Sequence, residues 1–443
     1  MRYRLCVTTA TLVLLVVGAR ADEHAIPAWE LPPPNTDPFS APFFQPSNSS
    51  GHSRDTPNSA LVDAVITHDP RAVTLPSEVV GARACCCNLT TWATMELLIG
   101  RTRGPSVAPI VTTGPVSAGA FAGAIGQPTT LPLFGGKRIL DDWRSGLRIE
   151  LGAWMDSSQQ SGIGLRFYSL FTTNEQFRSA SNNRIVINVP QSVSAGPVRI
   201  QIPAFVSFPG ASTGRVAASA ETMFAGGDLN WRYLIDRNEW GRVDTLVGYR
   251  QLHLVDSLGS NFNVVPTSPV SESLLVSPQY AGVDNVHTRN NFYGPQLGLC
   301  ASAGVGRFWI EGHAAAALGV TESSLDFARS RTGVVASNPA AMLATLGAPA
   351  SATNSVMAAT TNQVPTMQSN VASRLSYFGV VGEGGVRVNW RATDHVRFTA
   401  GYSFLYWNNV RRAQEMFILG PVLRPQAIDF TTHLFSVGLD LRF

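Results

Sequence analysis

An all-β chain, rolled into a single closed antiparallel up-and-down transmembrane β-barrel of about ten strands, is the fold this sequence predicts. Three observations carry that prediction. From His433 to Phe443 the side chains alternate to the end: Phe435, Val437, Leu439, Leu441 and Phe443 against Ser436, Gly438, Asp440 and Arg442. Successive strand residues point to opposite faces, so this segment has one oily face and one charged face. Strong alternating segments are joined by connections that are short and long in turn, which is the habit of barrels with short periplasmic turns and long outer loops. Charged residues make up only 14% of the chain, against about 25% in soluble domains. Mean hydropathy nevertheless stays at +0.07, because a barrel hides its apolar residues at every second position.

The 443 residues include a single lysine, and the formal net charge is +3. No run of basic residues is longer than two, as in Lys137-Arg138 and Arg411-Arg412, which gives no case for a nucleic-acid surface. Arg2 and Arg4, the apolar stretch Leu5 to Gly18, and Ala19-Arg20-Ala21 read as a signal peptide over 1–21, leaving Asp22 as the mature start. That stretch is too short to span a bilayer, and no other run approaches the roughly 18 apolar residues a membrane helix needs. An exported chain of this kind can enter a membrane only as a barrel. Residues 22–90 are Pro/Ser/Asn-rich, as in Pro32-Pro33-Pro34-Asn35 and Ser47-Asn48-Ser49-Ser50-Gly51. They read as a disordered periplasmic extension, with the barrel domain at 91–443. Cys85-Cys86-Cys87 lacks the separated pairs of a zinc site. It reads either as an inter-chain cross-link or as an incidental stretch of linker, and Cys300 stands alone.

Ten segments alternate. They are Trp92 to Ile99, Gly146 to Met155, Ile163 to Phe171, Ser219 to Tyr233 and Val243 to Leu254, then Asn291 to Ala303, Phe308 to Val320, Phe378 to Trp390, Val396 to Trp407 and the terminal strand. Four connections are short, after the second, fourth, sixth and eighth segments, and the others run to some tens of residues. An even count puts both chain ends on the periplasmic side. Arg184 to Val189 and Val198 to Phe208 alternate too, and would raise the count to twelve. Trp231, Tyr233, Trp390, Tyr406 and Phe443 fall near strand ends, where interfacial girdles want amphipathic rings.

Several segments carry a family resemblance. They are Trp92-x-x-x-Glu96-Leu97-Leu98, Pro109-Ile110-Val111-Thr112-Thr113-Gly114-Pro115, Gly126-x-x-Thr129, Leu133-Phe134-Gly135-Gly136 and Ser145-Gly146-Leu147-Arg148-x-x-x-Gly152-x-Trp154-x-Asp156. Gly248-Tyr249-Arg250 and Gly401-Tyr402-Ser403-Phe404-Leu405-Tyr406-Trp407-Asn408-Asn409-Val410 complete the set. In this order they resemble the planctomycetal outer-membrane barrel group called the beta-barrel protein seven family, over about Trp92 to Phe443. The resemblance implies an outer-membrane location and no particular chemistry. Arg411-Arg412-Ala413-Gln414-Glu415 departs from the family pattern, which has a proline-glycine-aspartate turn there.

The polar faces collect a charged set of mixed sign: Arg148, Glu150, Arg166, Asp228, Arg232, Asp244, Arg250, Glu311, His313, Glu383, Arg387, Arg397, Asp440 and Arg442. An arginine facing lipid at mid-membrane costs about 2–4 kcal/mol, so the set should face the lumen. In a narrow barrel such charges interlock and plug it. In a wider one they line a small aqueous path. Ten strands favour the narrow reading. Phe443, Leu441, Leu439, Val437 and Phe435 form a C-terminal assembly signal. The first outer loop, Ile110 to Gly136, reads equally as a constriction or as a packed lid.

Catalysis has little support. His253 lies near the outer end of the fifth segment with Asp256 and Ser257 following, and His287 and Asp284 precede the sixth; these pairs are read as belonging to outer loops with no Gly-x-Ser-x-Gly frame. Eight scattered histidines give no metal spacing, and no cofactor is expected. The sequence thus describes an integral outer-membrane barrel of a Gram-negative-type cell, either structural or a narrow passive pore, and not an enzyme. Its expected partners are outer-membrane lipid, the barrel-assembly machinery and small solutes. The alternatives are a secreted soluble β-rich surface-binding protein and a barrel-rim hydrolase. The soluble reading needs a layer to cover the oily faces of the last two strands, and no segment supplies one.

Overall fold

In the computed structural model the described residues are 90–182, 184–195, 198–267, 280–333, 367–414 and 427–443. The expected signal peptide, Cys85 to Cys87 and all but the last residue of the 22–90 extension lie outside them. Ten long strands form a closed barrel. They are β1 (Thr90–Thr102), β4 (Arg144–Trp154), β5 (Ser161–Ala180), β8 (Ser212–Arg237) and β9 (Gly241–Pro266), followed by β10 (Tyr280–Val305), β11 (Phe308–Gly333), β12 (Met367–Arg391), β13 (Val396–Val410) and β14 (Ile428–Arg442). Each pairs antiparallel with its ring neighbours, in the order β1-β14-β13-β12-β11-β10-β9-β8-β5-β4.

The first and last strands meet. β1 pairs with β14 from Trp92 opposite Arg442 to Thr102 opposite Thr432, and with β4 on its other edge. Phe443 extends the seam: its N–H donates to Thr91 O at 2.9 Å, and Thr91 N–H donates back to Phe443 O at 3.0 Å. Closure leaves no edge whose backbone groups would lie unpaired in hydrocarbon. The turns at the seam end are short. Gly306, with φ of +63°, lets β10 return into β11 through two residues, a hairpin needing a positive φ. At the β4–β5 turn, Asp156 accepts from the Ser158 hydroxyl at 2.6 Å and from Gln160 N–H and Ser161 N–H at 2.8 Å each.

The strands run further than the alternation indicated. β8, β9, β10 and β11 each have 26 residues, about 85 Å at 3.3 Å per residue, whereas a span needs only about 9–11. The pattern changes phase along them. In the lower half of β8 the apolar Leu229, Trp231 and Tyr233 are exposed and Asp228 is buried. In its upper half Val216, Ala218 and Ala220 are the buried set. β9 passes from exposed Val247 and Tyr249, with Arg250 inside, to buried Leu258, Phe262 and Val264. β11 passes from exposed Ile310, Leu318 and Val320 to buried Leu325 and Phe327. Below the change the wall faces lipid and the interior is polar. Above it the outward side is polar, and the interior carries these apolar residues beside buried polar ones such as Asp256, Asp284 and Asn290. A search for oily outward faces therefore stops at the boundary.

The hairpin that alternation allowed as two further barrel strands forms, but not in the barrel. β6 (Ile187–Ala195) and β7 (Val198–Ser207) join β2 (Val111–Thr113) and β3 (Leu131–Phe134) in a separate four-stranded sheet, ordered β3-β2-β6-β7. Pro190 pairs opposite Pro203. Proline has no N–H to donate, so neither strand suits a ring in which both edges must be paired. The count is ten. The first outer loop supplies β2, β3 and a 3-10 turn, Val116–Phe121, to the same sheet. Its Ile110, Val111 and Phe134 share one buried cluster with Ile187 and Phe205 and with the upper-barrel residues Val216, Phe262 and Phe327. The loop, packed against these upper-barrel residues, forms a lid sheet with the β6–β7 hairpin.

Leu439 is exposed on the lower wall and Asp440 is buried. Leu439→Arg should block membrane assembly, at about 2–4 kcal/mol for a charge in lipid. Asp440→Asn, inside, should assemble. A heat-modifiable band on gels measures both, and equal assembly of the two variants would overturn the facing assigned here.

Acid should loosen the β4–β5 turn. The Ser158 hydroxyl, followed by the Gln160 amide, holds the Asp156 carboxyl below its ordinary 3.8, at about 2. A carboxyl lowered on folding stabilises above its unfolded value and loses that contribution as pH falls through the folded one. The turn should therefore weaken as pH drops from 3.8 towards 2. Comparing acid unfolding of the protein and of Asp156→Asn checks this, since the variant should lack that pH dependence.

Candidate functional site

The lumen is filled in layers, and the lowest is ionic. Arg166 on β5 forms salt bridges with Asp228 on β8 at 2.7 Å and with Glu383 on β12 at 2.8 Å. β5 and β12 stand opposite one another in the ring, so this guanidinium bridges the full width. Arg250 on β9 reaches the same two carboxylates, and His313 on β11 lies 3.3 Å from Glu383. On the other side, Arg148 pairs with Glu96 at 3.1 Å and donates to Ser403 Oγ at 2.7 Å. Arg387 meets Glu96 at 3.2 Å and Glu150 at 3.5 Å, and Arg232 meets Glu150 at 2.7 Å. Glu311 accepts from the Cys300 thiol at 3.5 Å. Arg148, Arg166, Arg232, Arg250 and Arg387 are thus matched in number by Glu96, Glu150, Asp228, Glu311 and Glu383. Buried charge survives only with partners, and bidentate Arg–carboxylate geometry is the strongest pairing available.

The rest of the sequence-derived set lies towards the periplasmic mouth. Asp244 pairs with Arg242 at 2.7 Å, and Asp440 with Arg442 at 3.0 Å. Arg397 lies opposite Asp440 in the β13–β14 register, and its Nε is without a hydrogen-bond partner. Two small cavities, of about 40 and 60 Å³, are lined in common by Glu150, Arg232, Glu311 and Arg387. Each has room for a few waters and no more.

Above the charges lies an apolar septum. Nine of the ten strands send a buried side chain into it, among them Leu98, Tyr168, Phe224, Leu252, Phe292, Ala317, Val381, Trp407 and Phe430. Its rings form a chain across the lumen. Tyr168 and Phe224 have centroids 6.0 Å apart, Phe224 and Phe430 4.9 Å, Phe430 and Trp407 6.3 Å, and Trp407 and Phe292 6.2 Å. Trp407 Nε1 donates to Thr321 Oγ1 at 3.0 Å, which satisfies the indole. Glycines make room for this. A Cβ on Gly226 would stand 2.6 Å from Leu252 and 2.7 Å from Tyr168, and one on Gly379 would stand 2.9 Å from Phe292.

A second polar layer rests on the septum. The stretch that departs from the family pattern supplies it: Arg411, Arg412 and Gln414 after β13 are all fully buried. Arg412 makes a two-pronged contact with Asp256 of β9. Arg411 N–H donates to Asn290 Oδ1 at 3.0 Å, and Asn290 Nδ2 donates back to Arg411 O at 2.8 Å. The lid closes the stack.

Sequence reasoning passed over Glu96, Arg411, Arg412 and the septum. Glu96 was legible, since Met95 and Leu97 flank it in strict alternation. The septum was not, because an apolar inward residue breaks the very pattern that identifies a lumen face. The residues read as rim candidates are not in outer loops: His253, Asp256 and Ser257 sit within β9, and Asp284 and His287 within β10. The extension of both strands above the membrane is the reason. Asp256 turns inward to Arg412, and Asp284 turns inward to Arg329 and Arg331. Ser257 and His287 share the outer wall, with Ser257 Oγ 2.9 Å from His287 Nδ1. Among the described residues no group of histidine, cysteine and carboxylate side chains could hold a metal.

Glu383→Gln should be the most damaging single change in the lower layer, because it removes half the compensation of Arg166 and Arg250. Breaking a buried pair of this kind costs about 3–5 kcal/mol, readable as a lowered urea midpoint in detergent.

Comparison with known proteins gives one family match, to the model described as beta barrel porin-7 (BBP7), over residues 92–419. No curated protein matches the chain. Among solved structures, it is similar to the outer membrane protease OmpT from Escherichia coli at 11% identity, with 80% of this chain and 96% of that one covered and a TM-score of 0.36. The translocator domain of the autotransporter NalP from Neisseria meningitidis matches at 8% identity over 80% and 88% of the two chains, with a TM-score of 0.21. A triple mutant of the Rhodopseudomonas blastica porin matches at 6% over 80% and 100%, with a TM-score of 0.13.

Proposed function

The chain belongs to the beta barrel porin-7 family, and on that footing we propose that it is a sealed outer-membrane barrel, structural in role and closed to solutes. The ring of aromatic and aliphatic side chains across the lumen is the single observation that supports this most. Ions cross a barrier only where water or fixed dipoles replace their hydration, and a packed apolar layer offers neither. The interlocked charges beneath it and the lid above it add two further barriers in series. A passive pore would need all three to part together.

On this reading the partners are the lipid around the lower wall and the machinery that folds barrels into the membrane. The signal peptide over 1–21 is proposed to bring the chain to both. The lumen carries no chemistry and no cofactor, and nucleic acid has no place on the chain.

Planar-bilayer recording tests the proposal. The purified protein should insert without stepwise conductance under conditions in which a trimeric bacterial porin conducts. Regular conductance steps would overturn the sealed reading. Phe430→Ala should cost about 3–5 kcal/mol, the usual loss for a buried aromatic, measured as a lowered unfolding midpoint.

A further inference from the structure

The outer wall above the membrane holds a second arrangement, independent of the lumen. Four strands present one lateral row on the outward face: Glu221 on β8, Ser257 on β9, His287 on β10 and Asp326 on β11. Ser257 pairs directly opposite Glu221 and His287, and His287 directly opposite Asp326. Ser257 Oγ lies 2.9 Å from His287 Nδ1. Burial lowers the His287 pKa, the Arg289 charge lowers it further, and the charge of Asp326, which makes no hydrogen bond or salt bridge to the ring among the described residues, opposes both. Ser257 is 9% exposed, and its β9 neighbour on the same face, Gly259, is buried. Arg289 lies on the same face, opposite Val255, and so diagonal to Ser257. No hydrogen bond or salt bridge occupies its guanidinium among the described residues.

We propose that Ser257, His287 and Asp326 form a hydrolytic site for carboxylic esters, with Arg289 receiving the developing oxyanion. Ser257 donates its hydroxyl hydrogen bond to Nδ1, which leaves the ring proton on Nε2. Ser257 Oγ adds to the ester carbonyl as its proton passes to Nδ1, and Asp326 stabilises the imidazolium that results. The tetrahedral adduct collapses, the ester C–O bond breaks, and the alcohol leaves with the proton from His287. Water then gives a proton to His287 and attacks the acyl-serine. The carboxylic acid departs, and Ser257 recovers its proton.

Height on the wall sets the substrate class. Tyr293 ends the apolar outward run of β10, and His287 stands six residues beyond it. At 3.3 Å per residue and a strand tilt near 40°, that is about 15 Å above the hydrocarbon edge. Acyl esters of membrane lipids lie at the edge itself. The site therefore takes esters carried in water or on molecules projecting from the cell surface.

The test uses the folded, detergent-purified protein and a fluorophosphonate probe, with p-nitrophenyl butyrate as the turnover substrate. Peptide mapping should find one label, on Ser257, absent from Ser257→Ala. His287→Ala should lower the labelling rate about a hundredfold or more, and Asp326→Asn about tenfold or more. His253→Ala, a histidine on the same wall that pairs instead with Asn291, should label as the parent does. Heat-modifiable mobility confirms that each variant is folded, and His287→Asn replaces His287→Ala where the latter fails to fold. An unlabelled parent, equal labelling of Ser257→Ala, or full reactivity without His287 would overturn the site. Equal hydrolysis of phosphatidylcholine vesicles would overturn the assignment to water-borne esters.

Discussion

One constraint governs the rest of the molecule: a single wall of β-strands must satisfy two solvents along its length. Within lipid, the outward parity of each strand has to be apolar, and the inward parity is left for everything else. Above the lipid the demand reverses. Tyr249 and Ser257 lie on the same outward face of β9, and Arg250 and Leu258 on the same inward face. The backbone does not change between them; only the medium outside does. Because side-chain direction has period two, the chain can reverse its polarity without a bulge, a bend or a break in pairing. The unbroken ladder between β9 and β10, from Ala303 opposite Gly241 to Tyr280 opposite Val264, shows this directly.

The layered lumen follows from that reversal. In the lower half the interior receives the polar parity, and charges removed from water are tolerable only in matched pairs. Glu383 shows how tightly this is arranged, since it serves Arg166, Arg250 and His313 together. In the upper half the interior receives the apolar parity and needs a partner surface, because a ring of oily residues around open water would be unstable. The lid sheet is that surface. The septum sits where the two regimes meet, and there inward residues of nearly every strand are large and apolar. A ten-strand ring encloses a space of roughly side-chain dimensions, so filling it requires no inserted domain. A family described as porins therefore includes a member whose interior resembles a protein core.

How much was legible beforehand depends on which solvent a residue faced. The ten membrane segments, their order and their connection lengths could be read because lipid enforces strict alternation, as in Phe435, Val437 and Leu439 with Ser436 and Gly438 between them. The charged lumen set could be read for the same reason. Strand ends could not, since Asp256-Ser257-Leu258-Gly259-Ser260 looks like a loop unless an apolar interior is already assumed. Phe224, Phe292 and Phe430 were equally hidden, because an aromatic residue among apolar neighbours does not declare its face. Arg411 and Arg412 looked like a departure in an outer loop. Burial against Asp256 and Asn290 explains them as part of the lumen filling.

The same reversal separates where this chain can keep its interior from where it can act. The charged side chains of the lower lumen are held in ion pairs that tie opposite strands together, and a substrate admitted there would have to displace an ion pair or an aromatic ring. The outer wall above the lipid carries no such burden. Its residues are freed from the apolar requirement, they stand on rigid paired backbone, and adjacent strands hold side chains opposite each other about 5 Å apart. Rigid placement on strands is more exact than placement on loops. The outer wall above the lipid is therefore a surface on which exact polar geometry can be built without opening the lumen, and the Ser257–His287 contact at 2.9 Å lies on it.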